Sequence, residues 1–233
     1  MTLAELAFAC HIYASMTDYD SSYCDFRSKI DDELDLTDAD HRQALITWLN
    51  QWGCRQFSKE CHGLASAQIL QWYEDCREML PMKGADLLSI APYELESASE
   101  AYAKLTKMIA CRKPRGERTV VVTVGPTGAA KILFALRPNV LVPWDEPIRA
   151  KFNYDSSEQS FYRFHMTIKE ELSMLESQCK KLGVALKDLP QLLNRQHSTT
   201  PKLIDEFYWV TITRNCQFPG GSTLEKWINW NKA

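Results

Sequence analysis

The chain has 233 residues, 45% of them hydrophobic, and its 27 Lys and Arg against 30 Asp and Glu give a net charge of −3. This length and apolar content suffice for one domain with a sizeable core, and they exclude an intrinsically disordered chain. No apolar run approaches the roughly 18 to 20 residues that a membrane span requires, so no membrane partner is expected.

Helical periodicity dominates the chain from its first residues, and it predicts an all-α fold. The opening segment MTLAELAFACHIYASM carries Glu5 and lacks the basic start of a signal peptide, which favours an amphipathic helix. Further helices are predicted at residues 37–53, 64–80, 95–111, 146–152, 157–182 and 187–196, and from Thr200 through FYWV, before STLEKWINW ends the chain. Gly53 and Gly183 are placed to end two of these helices, and Pro81 and Pro114 bound two others.

Residues 119–124, TVVVTV, are the strand-like part of the chain, because all six are β-branched. No partner strand is evident, so strand and helix both stay open for this segment. The sequence contains no internal repeat, low-complexity tract or linker, and residues 1–233 are therefore expected to form a single domain.

The eight Cys and five His are scattered, without a C-x-x-C pair or a cluster at metal-ligand spacing. We therefore expect no metal and no other cofactor. Reduced, mostly buried thiols in a cytoplasmic protein are the main interpretation, since disulfides are rare in that compartment. An oxidised protein or a metal site that the spacing does not reveal is the alternative.

Charge is distributed unevenly along the chain. Residues 1–100 carry 7 Lys and Arg against 18 Asp and Glu, whereas residues 101–151 carry 10 against 3. This second segment, the basic island, could meet a polyanion although the whole chain is acidic. A solvated basic face without a partner is the other interpretation.

The basic island contains VVVTVGPTGAAKIL, residues 120–133, which resembles two kinds of phosphate-binding turn. A Walker A loop, G-x-x-x-x-G-K-[ST], counted from Gly125 would need Gly at Ala130 and a hydroxyl at Ile132, so two of its requirements fail. The other device is a turn whose amides, with the N-terminus of the next helix, hold a nucleic-acid phosphate. Its requirements are met, because Thr127 can cap the helix, Gly128 allows close approach and Lys131 adds a charge.

The longer stretch VGPTGAAKILFALRPNVLVPWDEPIRAKF resembles the helix-hairpin-helix DNA glycosylases. Their pattern is a Gly-h-Gly hairpin, a helix with an early Ala, and then, about 20 residues on, Pro-x-Asp opening another helix. Gly125 fits the second hairpin Gly, Ala129 the early Ala, and Pro143-Trp144-Asp145 the acidic signature. Thr123 stands where the first hairpin Gly is usual.

The resemblance implies a two-lobed helical fold with a central helix-hairpin-helix motif. The motif and the catalytic Asp would occupy residues 95–152, and the N- and C-terminal helices would pack together. The base would enter between the lobes, and the partner would be duplex DNA with one flipped nucleotide. We expect a monomer.

The resemblance also assigns catalysis to Asp145. A fixed anion lowers the barrier for breaking an N-glycosidic bond, because the sugar becomes positive, and it can also activate the attacking water. The alternative is that Asp145 only caps the helix that follows it. Family members that also nick the strand carry a Schiff-base Lys where this chain has Thr127, so a monofunctional enzyme that leaves an abasic site is expected.

Other residues are candidates for contacts with DNA or with the base. DNA contacts are expected from Gly125, Thr127, Gly128, Lys131, Arg118 and Lys113. Flipped bases are held between aromatic or apolar side chains, and the pocket candidates are Trp144, Trp52, Asn50 and Trp48. Each Trp has the alternative of packing in the core.

Two other classes of function stay open. One is a noncatalytic helix-hairpin-helix protein that holds DNA, and the other is a helical protein-interaction module that uses the acidic first hundred residues. Within the glycosylases, a specialised member resembling the antiphage enzymes that remove hypermodified bases is a further option.

Overall fold

A computed structural model describes residues 1–31, 33–116, 118–220 and 222–223, and it confirms the all-α class. Most of the segment STLEKWINW lies outside the described residues. In chain order the α-helices are α1 (Leu3–Met16), α2 (Tyr19–Ser28), α3 (Ala39–Gln51), α4 (His62–Cys76), α5 (Pro92–Lys107), α6 (Gly125–Leu136), α7 (Glu146–Lys151), α8 (Glu158–Lys181), α9 (Leu189–Leu192) and α10 (Thr200–Tyr208). A π-helical turn, Trp209–Thr213, follows α10 directly.

The helix predicted at residues 95–111 ends earlier, at Lys107, and its last residues form a strand. Strand β1 (Ile109–Arg115) pairs antiparallel with β2 (Arg118–Thr123), with Lys113 opposite Val120. Pairing with β2 supplies the backbone hydrogen bonds of this segment, and Pro114 favours extended backbone at the residue before it. Residues 118–123 are therefore a strand, and this β-hairpin joins α5 to α6 where the resemblance expects a short turn.

The helix predicted at residues 187–196 is also shorter than expected. A 3-10 turn, Leu186–Asp188, leads into the four-residue α9. Asn194 then has a φ of 57°, in the left-handed region, so the helix cannot continue.

The N- and C-terminal parts of the chain meet in the fold, since α1 packs against α10 and the π-helical turn. α1 starts with a capping box between Thr2 and Glu5. It buries Leu6, Ala9, Cys10 and Tyr13, which share one face at helical spacing. In the centre of the molecule α5 packs against α4, α6 and α8.

A disulfide joins Cys61 to Cys111 and ties β1 to the turn that precedes α4. The expectation of reduced thiols is therefore wrong for this pair, whereas Cys10, Cys24, Cys54, Cys76, Cys179 and Cys216 are free. Fifty residues separate the two partners along the chain, and the hairpin brings their Cα atoms to 5.2 Å. Sequence spacing could not show this approach.

The start of α6 is fixed by contacts with the loop after α3. Gly125 has a φ of 68°, which favours glycine, and α6 begins there. The expected helix cap at Thr127 is therefore wrong. Gln56 Nε2 donates to the Val124 carbonyl at 2.7 Å, and a Cβ atom on Gly128 would lie 2.5 Å from that nitrogen.

We predict that Gly128→Ala lowers the free energy of unfolding by about 1 kcal/mol, because the added methyl displaces the Gln56 amide from Val124 and the better helix propensity of alanine offsets only part of that loss. Gly63→Ala is the matched control. Gly63 lies exposed in α4 with open space around it, so alanine should leave stability unchanged or raise it by up to about 1 kcal/mol. Chemical denaturation of both variants measures the difference, and equal stability of the two would contradict this account of α6.

Candidate active site

A pocket of about 320 Å³ lies between α1, α2, α6 and α10. Residues just after α3 and in the loop before α7 also line it. We call it the aromatic pocket. Its lining residues are Tyr13, Tyr19, Trp52, Gly53, Thr127, Lys131, Pro143, Trp144, Asp145, Asp205, Trp209, Thr213 and Arg214. They come from both ends of the chain and from its middle.

Four rings from three parts of the chain form one side of the pocket. Tyr13 meets Trp209 edge-on at 5.2 Å between ring centroids, and Tyr19 lies 6.0 Å from Trp52 and 6.1 Å from Trp209. The Trp52 ring is held in place because its Nε1 donates to the Tyr19 carbonyl and to Ser22 Oγ, both at 3.1 Å. Such a wall provides flat apolar surface for a planar ligand.

Asp145 lies at the edge of this pocket, as the N-cap of α7. Its Oδ1 accepts from the Ile148 amide at 3.0 Å, and its Oδ2 accepts from Thr213 Oγ1 at 2.8 Å. The cap expected from the sequence is confirmed, and the carboxylate is partly exposed. An ionised carboxylate has about four acceptor positions, so these two bonds leave capacity for a water or a ligand.

Trp144 is among the residues that line the pocket, although it is only 1% exposed. Its ring packs against Phe164 at 5.1 Å and Phe161 at 5.4 Å. The guanidinium of Arg149 lies 5.4 Å above the Trp144 ring and donates to Thr127 Oγ1 at 3.3 Å. Trp144 therefore anchors the loop in the core, and Arg149 links α7 to α6.

Lys131 points into the pocket. Its Nζ donates to the Trp52 carbonyl and lies 5.5 Å from the centroid of the Trp52 ring. One of the three donors of this amine is therefore bonded to Trp52, and the phosphate contact expected from the sequence stays a prediction.

The remaining residues expected at the site lie elsewhere. Trp48 is buried and stacks on Phe26 at 4.9 Å, and Asn50 hydrogen-bonds the His62 ring at 3.2 Å. Neither lines the aromatic pocket. Gly128 is buried, Gly125 is partly buried at the start of α6, and Lys113 and Arg118 lie on the β-hairpin, where Arg118 is exposed.

Sequence reasoning missed several residues of the pocket, namely Tyr13, Tyr19, Asp205, Trp209, Thr213 and Arg214. These residues lie in α1, in α2, in α10 and directly after α10, far along the chain from the stretch that resembles the helix-hairpin-helix motif. For Asp205 and Trp209 a signal exists in the aromatic and acidic content of IDEFYW, residues 204–209. Periodicity assigns that content to a buried helix face and does not reveal a cavity.

The chain matches no family model, no curated protein and no solved structure. Within the described residues, no cluster of three or more His, Cys, Asp or Glu is arranged to hold a metal ion. None of the described helices combines the length and the hydropathy that crossing a bilayer demands.

His165 in α8 holds the backbone of the loop that leads to Asp145. Its ring is fully buried, its Nε2 accepts from the Val142 amide at 2.9 Å, and its Nδ1 lies 2.9 Å from the Phe161 carbonyl. The ring is therefore neutral, with the hydrogen on Nδ1. Burial lowers the pKa of His165 to about 4, against the opposing effect of the Phe161 carbonyl.

This shift predicts a loss of stability in mild acid. As the pH falls from about 6.5 to about 4, His165 is protonated in the unfolded chain but stays neutral in the folded chain. The free energy of unfolding therefore falls by up to about 3 kcal/mol. Denaturation curves at several pH values measure this slope. His165→Phe, which cannot titrate, should be less stable at pH 7 and should show a flatter slope, whereas His11→Asn at an exposed site should keep the slope. An unchanged slope in His165→Phe would contradict the assignment.

Proposed function

We propose that this chain is a monofunctional DNA glycosylase, which flips a damaged or modified base out of the duplex and hydrolyses its N-glycosidic bond. The observation that carries the proposal is Asp145, a fixed and partly exposed carboxylate at the edge of a pocket walled by aromatic rings. A base would occupy the pocket, and the carboxylate would face the sugar.

The size and walls of the aromatic pocket suit a flipped base. Its volume of about 320 Å³ lies at the lower end of the roughly 300–1,000 Å³ of small-molecule pockets. Enzymes that act on a base hold it between aromatic or apolar side chains after it leaves the stack. The partly exposed rings of Tyr19 and Trp209 supply such surfaces, with the buried Trp52 packed beside Tyr19, and the volume leaves room for a substituent on the base. This supports a damaged or hypermodified base as substrate, in repair or in antiphage defence.

Asp145 has the geometry that the reaction needs. Bonds from the Ile148 amide and Thr213 hold its two oxygens, so little reorganisation is required when positive charge develops on the sugar. The spare acceptor capacity of the carboxylate can orient the attacking water and take its proton. Water is then the nucleophile, and an abasic site is the product.

A Schiff-base step finds little support in the residues around Asp145. Thr127 has no amine, and its hydroxyl is bonded to Arg149. Lys131 lines the pocket, but its Nζ is bonded to the Trp52 carbonyl. The strand should therefore remain intact until alkali cleaves the abasic site.

Asp145→Asn tests the activity. It should lower the rate of base release at least about 100-fold, because the amide lacks the negative charge that stabilises the sugar cation, while duplex affinity stays within about threefold. The assay incubates DNAs that carry alkylated, oxidised, deaminated or glucosylated bases and scores strand breaks before and after alkali. Glu146→Gln, at the exposed neighbouring carboxylate, is the matched control and should keep the wild-type rate.

The outcomes separate the alternatives. An Asp145→Asn protein that releases bases at the wild-type rate would overturn the role of Asp145. A wild-type chain that binds duplex DNA but releases no base would indicate the noncatalytic DNA-binding protein. A chain without salt-dependent DNA binding would indicate the interaction module.

DNA contacts are proposed for the β-hairpin and the start of α6. Lys113→Ala and Arg118→Ala should each weaken duplex binding and reduce the slope of log affinity against log salt by about one, the share of one phosphate contact. Titrations from 50 to 200 mM salt measure the slope. Lys181→Ala, at an exposed position in the last turn of α8, should change neither. If all three variants and the wild type show the same salt dependence of duplex affinity, DNA does not contact Lys113 or Arg118.

A further inference from the structure

A second carboxylate, Asp205 of α10, lines the aromatic pocket together with Asp145. We propose that Asp205 recognises the base that enters this pocket, because its carboxylate accepts a hydrogen bond from an N–H group on the edge of the base. The substrate class is then a base with an amino or ring N–H donor on that edge. This inference rests on the proposed function, because it assigns the same pocket to a base.

Asp205 has one oxygen available for such a bond. The residue is only 9% exposed, and its Oδ2 accepts from Lys202 Nζ at 2.6 Å. Among the described residues, no donor is bonded to its Oδ1. This oxygen can accept from water or from a ligand, and a ligand that fills the pocket must supply an N–H to keep it hydrogen-bonded.

Lys202 favours the charged, accepting form of Asp205, against the opposing effect of burial. The lysine is 2% exposed and lies behind the aromatic wall, 4.6 Å from the Tyr13 ring centroid and 5.4 Å from that of Trp52. Burial lowers the pKa of Lys202, but the combined effects of Asp205, Tyr13 and Glu206 outweigh burial and raise that pKa above its usual range. The amine is therefore charged.

Asp145 and Asp205 are close enough to influence each other. Burial raises the pKa of Asp205, Lys202 opposes the rise, and the negative charge of Asp145 adds to it. The two carboxylates therefore share one pocket in different surroundings. Asp145 at the partly exposed edge suits the sugar, and Asp205 at the buried side suits the base.

A neighbouring carboxylate offers a matched control. Glu206 belongs to the same ion network, since Arg195 donates to it at 3.1 and 2.7 Å and Lys202 Nζ lies 3.8 Å from it. Glu206 is fully buried and does not line the aromatic pocket. Glu206→Gln therefore disturbs the network without changing the pocket surface.

The expected selectivity follows from the acceptor character of a carboxylate. A site built to receive an N–H bond rejects an analogue that lacks the donor, because the carboxylate oxygen then stays buried and unpaired. Hydrogen bonds to charged groups are strong enough for about tenfold discrimination or more. A base that presents a carbonyl oxygen or a ring lone pair to Asp205 is disfavoured further by repulsion.

The test measures binding of free bases through the fluorescence of the pocket tryptophans, and it does not depend on catalysis. Adenine is compared with purine, and cytosine with 2-pyrimidinone, since each pair differs by one amino group. The wild type should bind the amino-bearing member of at least one pair about tenfold more tightly. Asp205→Asn should reduce that preference to threefold or less, and Glu206→Gln should keep it.

Equal binding within both pairs by the wild type, or no binding of any base, would overturn the inference. So would an Asp205→Asn protein that keeps the wild-type preference. If thermal unfolding shows that Asp205→Asn does not fold, Asp205→Glu takes its place. This variant keeps the charge and moves the oxygens by one methylene, and it should also lose the preference.

Base release from DNA, measured in parallel, separates this inference from the proposed activity. If the wild type releases no base from any DNA but its base preference depends on Asp205, the proposed glycosylase activity is wrong and base recognition by Asp205 is supported. If bases are released but the preference does not depend on Asp205, the activity is supported and base recognition by Asp205 is wrong.

Discussion

The hydrogen bond from the Val142 amide to the buried His165 ring is the constraint on which the site depends. It fixes the loop before α7 against α8, and two residues later Trp144 enters the core between Phe161 and Phe164. With the backbone held at both points, Asp145 has little freedom. Among the described residues, Thr213 is the side chain that hydrogen-bonds this carboxylate, so its position is fixed mainly by the backbone.

The pocket next to Asp145 combines an aromatic wall with an ion network behind it. Lys202, Asp205, Glu206, Arg195 and Asp20 form this network. Buried ion pairs rarely add net stability, since the free-energy cost of removing the charges from water is about as large as their mutual attraction. The Lys202–Asp205 pair is the part of this network that reaches the cavity, and it is therefore better explained by the charge that it presents to a ligand than by stability. Perturbed carboxylates in clefts are typical of functional sites.

The β-hairpin carries four basic residues of the basic island, Arg112, Lys113, Arg115 and Arg118. It extends from the start of α6, and the disulfide between Cys61 and Cys111 attaches its base to the turn before α4. Exposed Val120 and Val121 stand opposite Lys113 and Arg112 in the register, so apolar and basic side chains alternate on the hairpin surface. Such a surface suits contact with a nucleic-acid backbone and groove.

The sequence by itself determined the helical class, most helix positions and the cap at Asp145, because these follow from local periodicity and from short-range bonds. It also indicated Trp52, Trp144 and Lys131, which line the pocket together with Asp145. Helical spacing does not distinguish Trp48 from Trp52, since residues four apart share a face. Only the tertiary structure placed Trp52 at the cavity and Trp48 in the core. The partner strand for residues 118–123, the disulfide, and the meeting of Tyr13 and Asp205 with Asp145 were likewise decided by packing between distant segments, which leaves no periodic signal in the chain.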